Sequence, residues 1–282
     1  MKRTIQALAC VAALGAGTTT WAAEAAEQRV SIQFEPQLAG QPLRCGQRYE
    51  GQGAAQSSVV FGDLRLFVSA LELVDEDGHG VAVKLEQDGR WQNHDVAMLD
   101  FENGQASCRN GTPAMHTALT GTLPAGRYRG LRFTLGVPTA LNHADSTLAS
   151  APLNQTAMFW SWQSGYRFMK FELEVQGGDK KTGFPIHLGS SACQAASMRA
   201  PATNCLQPNR VAVALEQFDP ARDSVLLDLS ALIAQTRLDM QTPGTAPGCM
   251  AAADDPDCAG VFEALGLRGG GPQRVFGVLR KP

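Results

Sequence analysis

The sequence predicts an all-β fold: an antiparallel β-sandwich with long disulfide-stapled loops and one short helix. Three observations carry this expectation. Apolar and polar residues alternate with period two over many short segments, turn residues separate those segments, and the cysteines form an even set once a leader is removed. The 29 glycines and 15 prolines among 282 residues supply the punctuation.

Residues 1–26 read as a secretory leader. Met1-Lys2-Arg3 is a basic start, the apolar run from Ile5 to Gly17 is too short to span a bilayer, and Ala22-Ala23 and Ala25-Ala26 offer small-residue cleavage sites. Cys10 leaves with it. No repeat and no long linker divides residues 27–282, so a single domain is expected there. A chain 44% hydrophobic and 18% charged can bury one large core. Losing Lys2, Arg3 and Glu24 with the leader moves the formal net charge from -3 to -4, with no basic stripe. That excludes nucleic acid as a natural partner, and no later segment is long and apolar enough for membrane insertion. A periplasmic or secreted location follows.

The strands are read from the alternation. Val30-Ser31-Ile32-Gln33-Phe34 comes first. Residues 64–74 (LRLFVSALELV) end at the acidic turn Asp75-Glu76-Asp77-Gly78, which lacks the ligands of a calcium loop. Residues 81–85 and 96–101 are short apolar runs. Residues 119–123 and 127–137 flank Pro124-Ala125-Gly126 and are expected to form a hairpin. Residues 166–175 (YRFMKFELEV) alternate most cleanly, followed by 184–188 and 211–218. In residues 224–238, Leu226, Leu229, Ile233 and Leu238 share a helical face. Val275-Phe276 and Val278-Leu279 return as a last strand.

Six cysteines remain after the leader, and an even set in an exported chain reads as disulfides. They allow 15 pairings. Proximity favours Cys193–Cys205 and Cys249–Cys258, leaving Cys45 with Cys108. Each short loop closed this way gains about 3 kcal/mol in the chain-entropy model. Paired sulfurs also argue against a thiolate-ligated blue copper site.

HExxH, G-x-S-x-G, phosphate-loop and dinucleotide signatures are all missing, so an enzyme is not expected. Two of the five histidines bracket an aromatic cluster. His143 lies in LNHAD after Gly136-Val137-Pro138, and His187 lies in IHLGS before the Cys193 loop. Between them runs MFWSWQSGY, in which Trp160 and Trp162 share a face if the segment is a strand. Asp145 either orients His143 as an acceptor or shapes its turn. Trp160, Trp162 and Tyr166 offer an aromatic path for electrons. His79 and His94 fall in polar turns; His116 reads as structural, with a reserve role as a ligand. Core or loop packing accounts for Met158 and Met250.

The segments NHAD, MFWSWQSGYRFMKFELEV, HLGSSAC and GCM, with LRCGQRYE and DLRLFVSALELV, resemble the MbnP-like family. These are exported copper-binding proteins, also described as the four-cysteine member of a metallo-mystery pair. The resemblance runs from about Val30 to Phe276, and FWSWQSGY is its most specific piece. It implies one copper ion held by His143 and His187 with Trp160 or Trp162. It further implies that this tryptophan is oxidised to kynurenine by a di-haem partner of the cytochrome c peroxidase or MauG type. Imidazole is a common copper donor, whereas an indole nitrogen only donates its N–H. Ring opening gives an aryl amine with a usable lone pair. Two other readings compete: a carbohydrate- or surface-binding sandwich without metal, and a secreted hydrolase using Ser190 with His187.

Overall fold

The computed structural model describes residues 26–177, 180–197 and 199–281. The expected leader, Ala26 apart, lies outside the described residues. In chain order the strands are β1 (Glu27–Leu38), β2 (Gln41–Pro42), β3 (Arg48–Gln52), β4 (Ser57–Asp75), β5 (Gly80–Ala82) and β6 (Lys84–Leu85). β7 (Gln92–Asn93), β8 (Val96–Asp100), β9 (Ala118–Pro124), β10 (Tyr128–Leu135), β11 (Phe159–Ser161) and β12 (Gly165–Gly177) follow. The last are β13 (Lys180–Gly189), β14 (Ser191–Ala195), β15 (Ala202–Gln207), β16 (Val211–Glu216), β17 (Asp223–Asp228) and β18 (Phe276–Arg280).

Period-two patterning becomes two-faced strands. In β16, Val211, Val213 and Leu215 are buried while Ala212, Ala214 and Glu216 are exposed. These faces close on one another as a sandwich. One sheet runs β18–β17–β1–β9–β6 with β2 beside β1; the other is built on β12–β4–β10–β16, with β11 and β13 joined to β12. Phe133 on β10 meets Phe34 of β1 at 5.6 Å and Phe276 of β18 at 5.2 Å, both edge-on, so one ring links the two sheets. Among the described residues the strand ladders are antiparallel except β1 with β17, and the isolated Ile186–Cys249 bridge is parallel.

Residues 64–69 of β4 are buried on both faces. The outer face is covered by stapled loops. Cys108, bonded to Cys45, follows Ser107, whose Oγ donates to the Phe61 carbonyl at 2.6 Å. Cys249, bonded to Cys258, runs beside β13: its N–H reaches the Pro185 carbonyl at 2.9 Å and its carbonyl takes the His187 N–H at 2.8 Å. Cys193 and Cys205 are bonded directly across the separate β14–β15 hairpin. All three pairings are those expected.

Two local expectations are corrected. β9 and β10 do not form a hairpin. Both flanks of β9 are occupied, by β1 and β6, so the chain crosses at Pro124-Ala125-Gly126 into the other sheet and pairs with β4 and β16. Residues 224–238 begin as strand β17, because Phe276–Arg280 and β1 supply ladder partners. Helix is confined to α2 (Leu229–Ile233), where the Asp228 carboxylate accepts from Ala231 N–H at 3.0 Å. Two further short helices occur, α1 (Thr139–Asn142) and α3 (Ala259–Ala264).

Candidate metal centre

The tryptophan segment is held against β12 by a short ladder, Phe159 opposite Tyr166 and Ser161 opposite Gly165. Gly165 has φ +74°, and a Cβ there would lie 2.6 Å from Asn142. Glycine therefore serves both the turn and the close approach of α1. Gly189 plays a similar part on β13: its Cβ would fall 2.4 Å from Trp160 Cζ3, so the missing side chain makes room for the indole. Trp160 is half-buried against the core, whereas Trp162 is 45% exposed.

His143 follows α1 and is buried. Its Nδ1 lies 2.9 Å from the Trp162 carbonyl, which can only accept, so Nδ1 carries the proton. Nε2, which carries the lone pair, lies at a cavity of about 130 Å³ lined by Asn142, Ser190, Cys205 and Arg210. The Asn142 amide donates to Nε2 at 3.1 Å, its own oxygen being taken by the Tyr166 N–H. Cys205 Sγ sits 3.3 Å away. The donor atoms of His143, Cys193 and Cys205 lie within 4.8 Å of one another. The two sulfurs are tied in a disulfide, so no thiolate is offered and the imidazole is the one strong candidate donor of that group.

His187 lies on β13, and its tautomer is fixed from both sides. Arg167 Nε–H donates to Nδ1 at 3.3 Å, and guanidinium has no lone pair to offer in return. The other nitrogen, Nε2, donates to Glu172 Oε1 at 3.0 Å. That hydrogen bond, with help from Lys170, holds the Glu172 carboxyl down at about 2 against the cost of its burial. Trp160 lies 6.4 Å from the His187 ring, centroid to centroid.

Each imidazole has one nitrogen tied to a carbonyl or carboxylate, as metal-ligating histidines commonly do, while the other accepts a hydrogen bond, from Asn142 at His143 and from Arg167 at His187. Imidazole nitrogen is a good copper donor, and the two accepting nitrogens have different surroundings, Asn142 and the small cavity at His143 and Arg167 at His187. No hydrogen bond joins the two rings; the segment from Phe159 to Trp162 lies between them, with Trp160 beside His187 and the Trp162 carbonyl on His143.

Other expectations fare differently. Asp145 does not orient His143. Its Oδ1 accepts from the Thr147 N–H at 2.9 Å and hydroxyl at 2.7 Å, which holds its carboxyl below the usual range. Tyr166 is fully buried and its ring contacts are Phe159 and Phe67, so the path drawn through Trp160, Trp162 and Tyr166 is not formed by those contacts. His116 stacks on Trp91 at 5.4 Å, with Nδ1 2.7 Å from the Met98 carbonyl, a structural placement. In the 75–79 turn the Asp75 carboxylate accepts the N–H groups of Asp77 and His79. Asn142, Arg167 and Glu172 went unnoticed in the sequence, because they matter only through register and loop packing.

The MbnP family model matches residues 27–251. The solved structure of MbnP from Methylosinus trichosporium is similar at 30% identity and a TM-score of 0.81, over 91% of this chain and 100% of that one. No curated protein matches the sequence. Family model and structural neighbour agree over nearly all of the sandwich, and the chain belongs to the MbnP family.

Proposed function

We propose that this protein is an exported copper-binding protein, working in the periplasm or outside the cell in copper handling, with His143 and His187 as nitrogen donors. The observation that carries the reading is the pair of imidazoles on either side of the Phe159–Trp162 segment, each anchored through one nitrogen. Family membership supports a copper-related role, and three disulfides fit an oxidising compartment. The ion supplies a centre that imidazole and amine nitrogens bind well.

The chain's own residues do the rest. The Trp162 carbonyl and the Glu172 carboxylate orient the two rings. Trp160, beside His187, is the tryptophan we assign to kynurenine. A di-haem peroxidase-like partner with peroxide as oxidant would cleave its C2–C3 bond, inserting two oxygen atoms and releasing two waters. Hydrolysis then frees the aryl amine, with C2 leaving as formate. The protein is substrate in that step, not catalyst.

Intact mass and copper titration on one set of variants test this. His143→Ala/His187→Ala is expected to lose tight copper binding. Co-expressed with the partner, Trp160→Phe is expected to lack the mass change and bind copper weakly, while Trp162→Phe keeps the modification. A double histidine variant that binds as tightly as the parent places the site elsewhere. Modification of Trp160→Phe moves the assignment to Trp162 or Trp91.

A further inference from the structure

Arg167 lies on β12 opposite Gly189 and reaches into the space between Trp160 and His187. Its Cζ is 5.1 Å from the Trp160 ring centroid, within cation–π range. Nε donates to His187 Nδ1 at 3.3 Å, and Nη1 donates to the carbonyls of Ala157 at 2.9 Å and Phe159 at 2.8 Å. An aromatic face, an imidazole lone pair and two carbonyl oxygens surround the guanidinium. Each is a group that attracts a cation. The imidazole lone pair Arg167 takes is also the one a metal at His187 requires, because the opposite nitrogen is committed to Glu172.

We propose that Arg167 is a built-in occupant of the cation position between Trp160 and His187, and that a metal reaches His187 Nδ1 only once this guanidinium has swung out. The proposal rests on the reading of His187 as a copper ligand and adds a gate to it. Displacement breaks a charge-assisted contact to each of two carbonyls and removes the charge from the ring face, so the unmodified protein binds metal below its intrinsic affinity. Conversion of Trp160 to kynurenine opens the five-membered half of that face. The modification that supplies a new nitrogen donor therefore also loosens the arginine, which couples modification to metal access. A cation held over the indole additionally disfavours loss of an electron from the ring, so Arg167 makes Trp160 harder to oxidise while it stays in place.

The test uses the unmodified full chain and Cu(I) as probe, under anaerobic competition with a chromophoric chelator. Arg167→Gln keeps polar donors but removes the charge, and is expected to bind Cu(I) about tenfold more tightly than the parent, equivalent to about 1.4 kcal/mol. Adding His187→Ala to Arg167→Gln is expected to erase that gain. Equal or weaker binding by Arg167→Gln, with His187→Ala still weakening the parent, makes Arg167 a support and overturns the gate. If His187→Ala changes nothing in either background, the ligand reading fails along with it. A second readout needs no variant: the Arg167 Nε–H resonance of the parent should move toward its solvated position as Cu(I) is added. An unchanged resonance at saturation, with the His187 ring signals shifted, overturns the proposal even where Arg167→Gln fails to fold.

Discussion

At the scale of single residues, the outer face of the large sheet carries a continuous polar line. Glu102 lies beside Arg65, whose Nε is 3.6 Å from Oε1. Arg65 is paired with Asp63, Asp63 with Lys170 at 2.6 Å, and Lys170 with Glu172 at 3.1 Å, which leads to His187. Glu102 is 0% exposed and neither carboxylate oxygen has a hydrogen bond. Burial pushes its carboxyl up to about 7 and that of Asp100 up to about 6. A raised acid binds its proton more tightly when folded, so the contribution of Glu102 to stability is fully present below the ordinary carboxyl range and is lost as pH climbs through it to about 7. Glu102→Gln removes this titration. It is expected to melt higher than the parent at pH 8 and to lose that advantage at pH 5, as read by thermal unfolding at both pH values. An advantage of equal size at both would deny that Glu102 ionisation is the cause. His143 and His187 were legible as candidates because a histidine beside a dense aromatic run is unusual chemistry. Their anchors were not: one is a main-chain carbonyl and the other a carboxylate brought near by strand register, and neither leaves a local pattern in the sequence.

At the scale of elements, alternation was a good guide wherever one face of a strand is solvated, as in β16 and in residues 170–176 of β12. It failed where partners are distant in sequence. The 119–137 segment looks like a hairpin because its turn signal is local, yet both ladders of β9 are filled from elsewhere. Cysteine spacing succeeded because short loops favour neighbours entropically, and the two local pairs close over separations of 12 and 9 residues. The Cys249–Cys258 staple does more than shorten the unfolded chain. Cys249 is bridged to Ile186, and its carbonyl takes the His187 N–H, so the staple fixes the backbone that presents His187. Cys249→Ala/Cys258→Ala is expected to cost about 3 kcal/mol in chemical denaturation and to weaken copper binding at room temperature, where the protein stays folded. Unchanged affinity in a folded, destabilised variant would confine the staple to a stabilising role.

At the scale of the whole molecule, the sandwich holds its two sheets together mainly through interlocked apolar side chains, and β10 occupies the junction. Its outer neighbours β4 and β16 belong to one sheet, but Phe133 projects onto β1 and β18 of the other. Because β1 and β18 come from opposite ends of the chain, that single ring ties the N-terminal and C-terminal strands to the centre. Removing it should therefore act on the fold as a unit and not on one edge. Phe133→Ala leaves a cavity lined by Phe34 and Phe276, and is expected to lower stability by about 3–5 kcal/mol. Tryptophan fluorescence reports the large sheet, through Trp91 beside β7 and Trp160 and Trp162 at β11, while far-UV circular dichroism reports strand content throughout. If the sandwich is one cooperative body, both probes should shift to lower denaturant together, with coincident midpoints. Separated midpoints in Phe133→Ala would mean that the two sheets unfold independently once the bridging ring is gone, and that their coupling resides in Phe133 itself more than in the surrounding core.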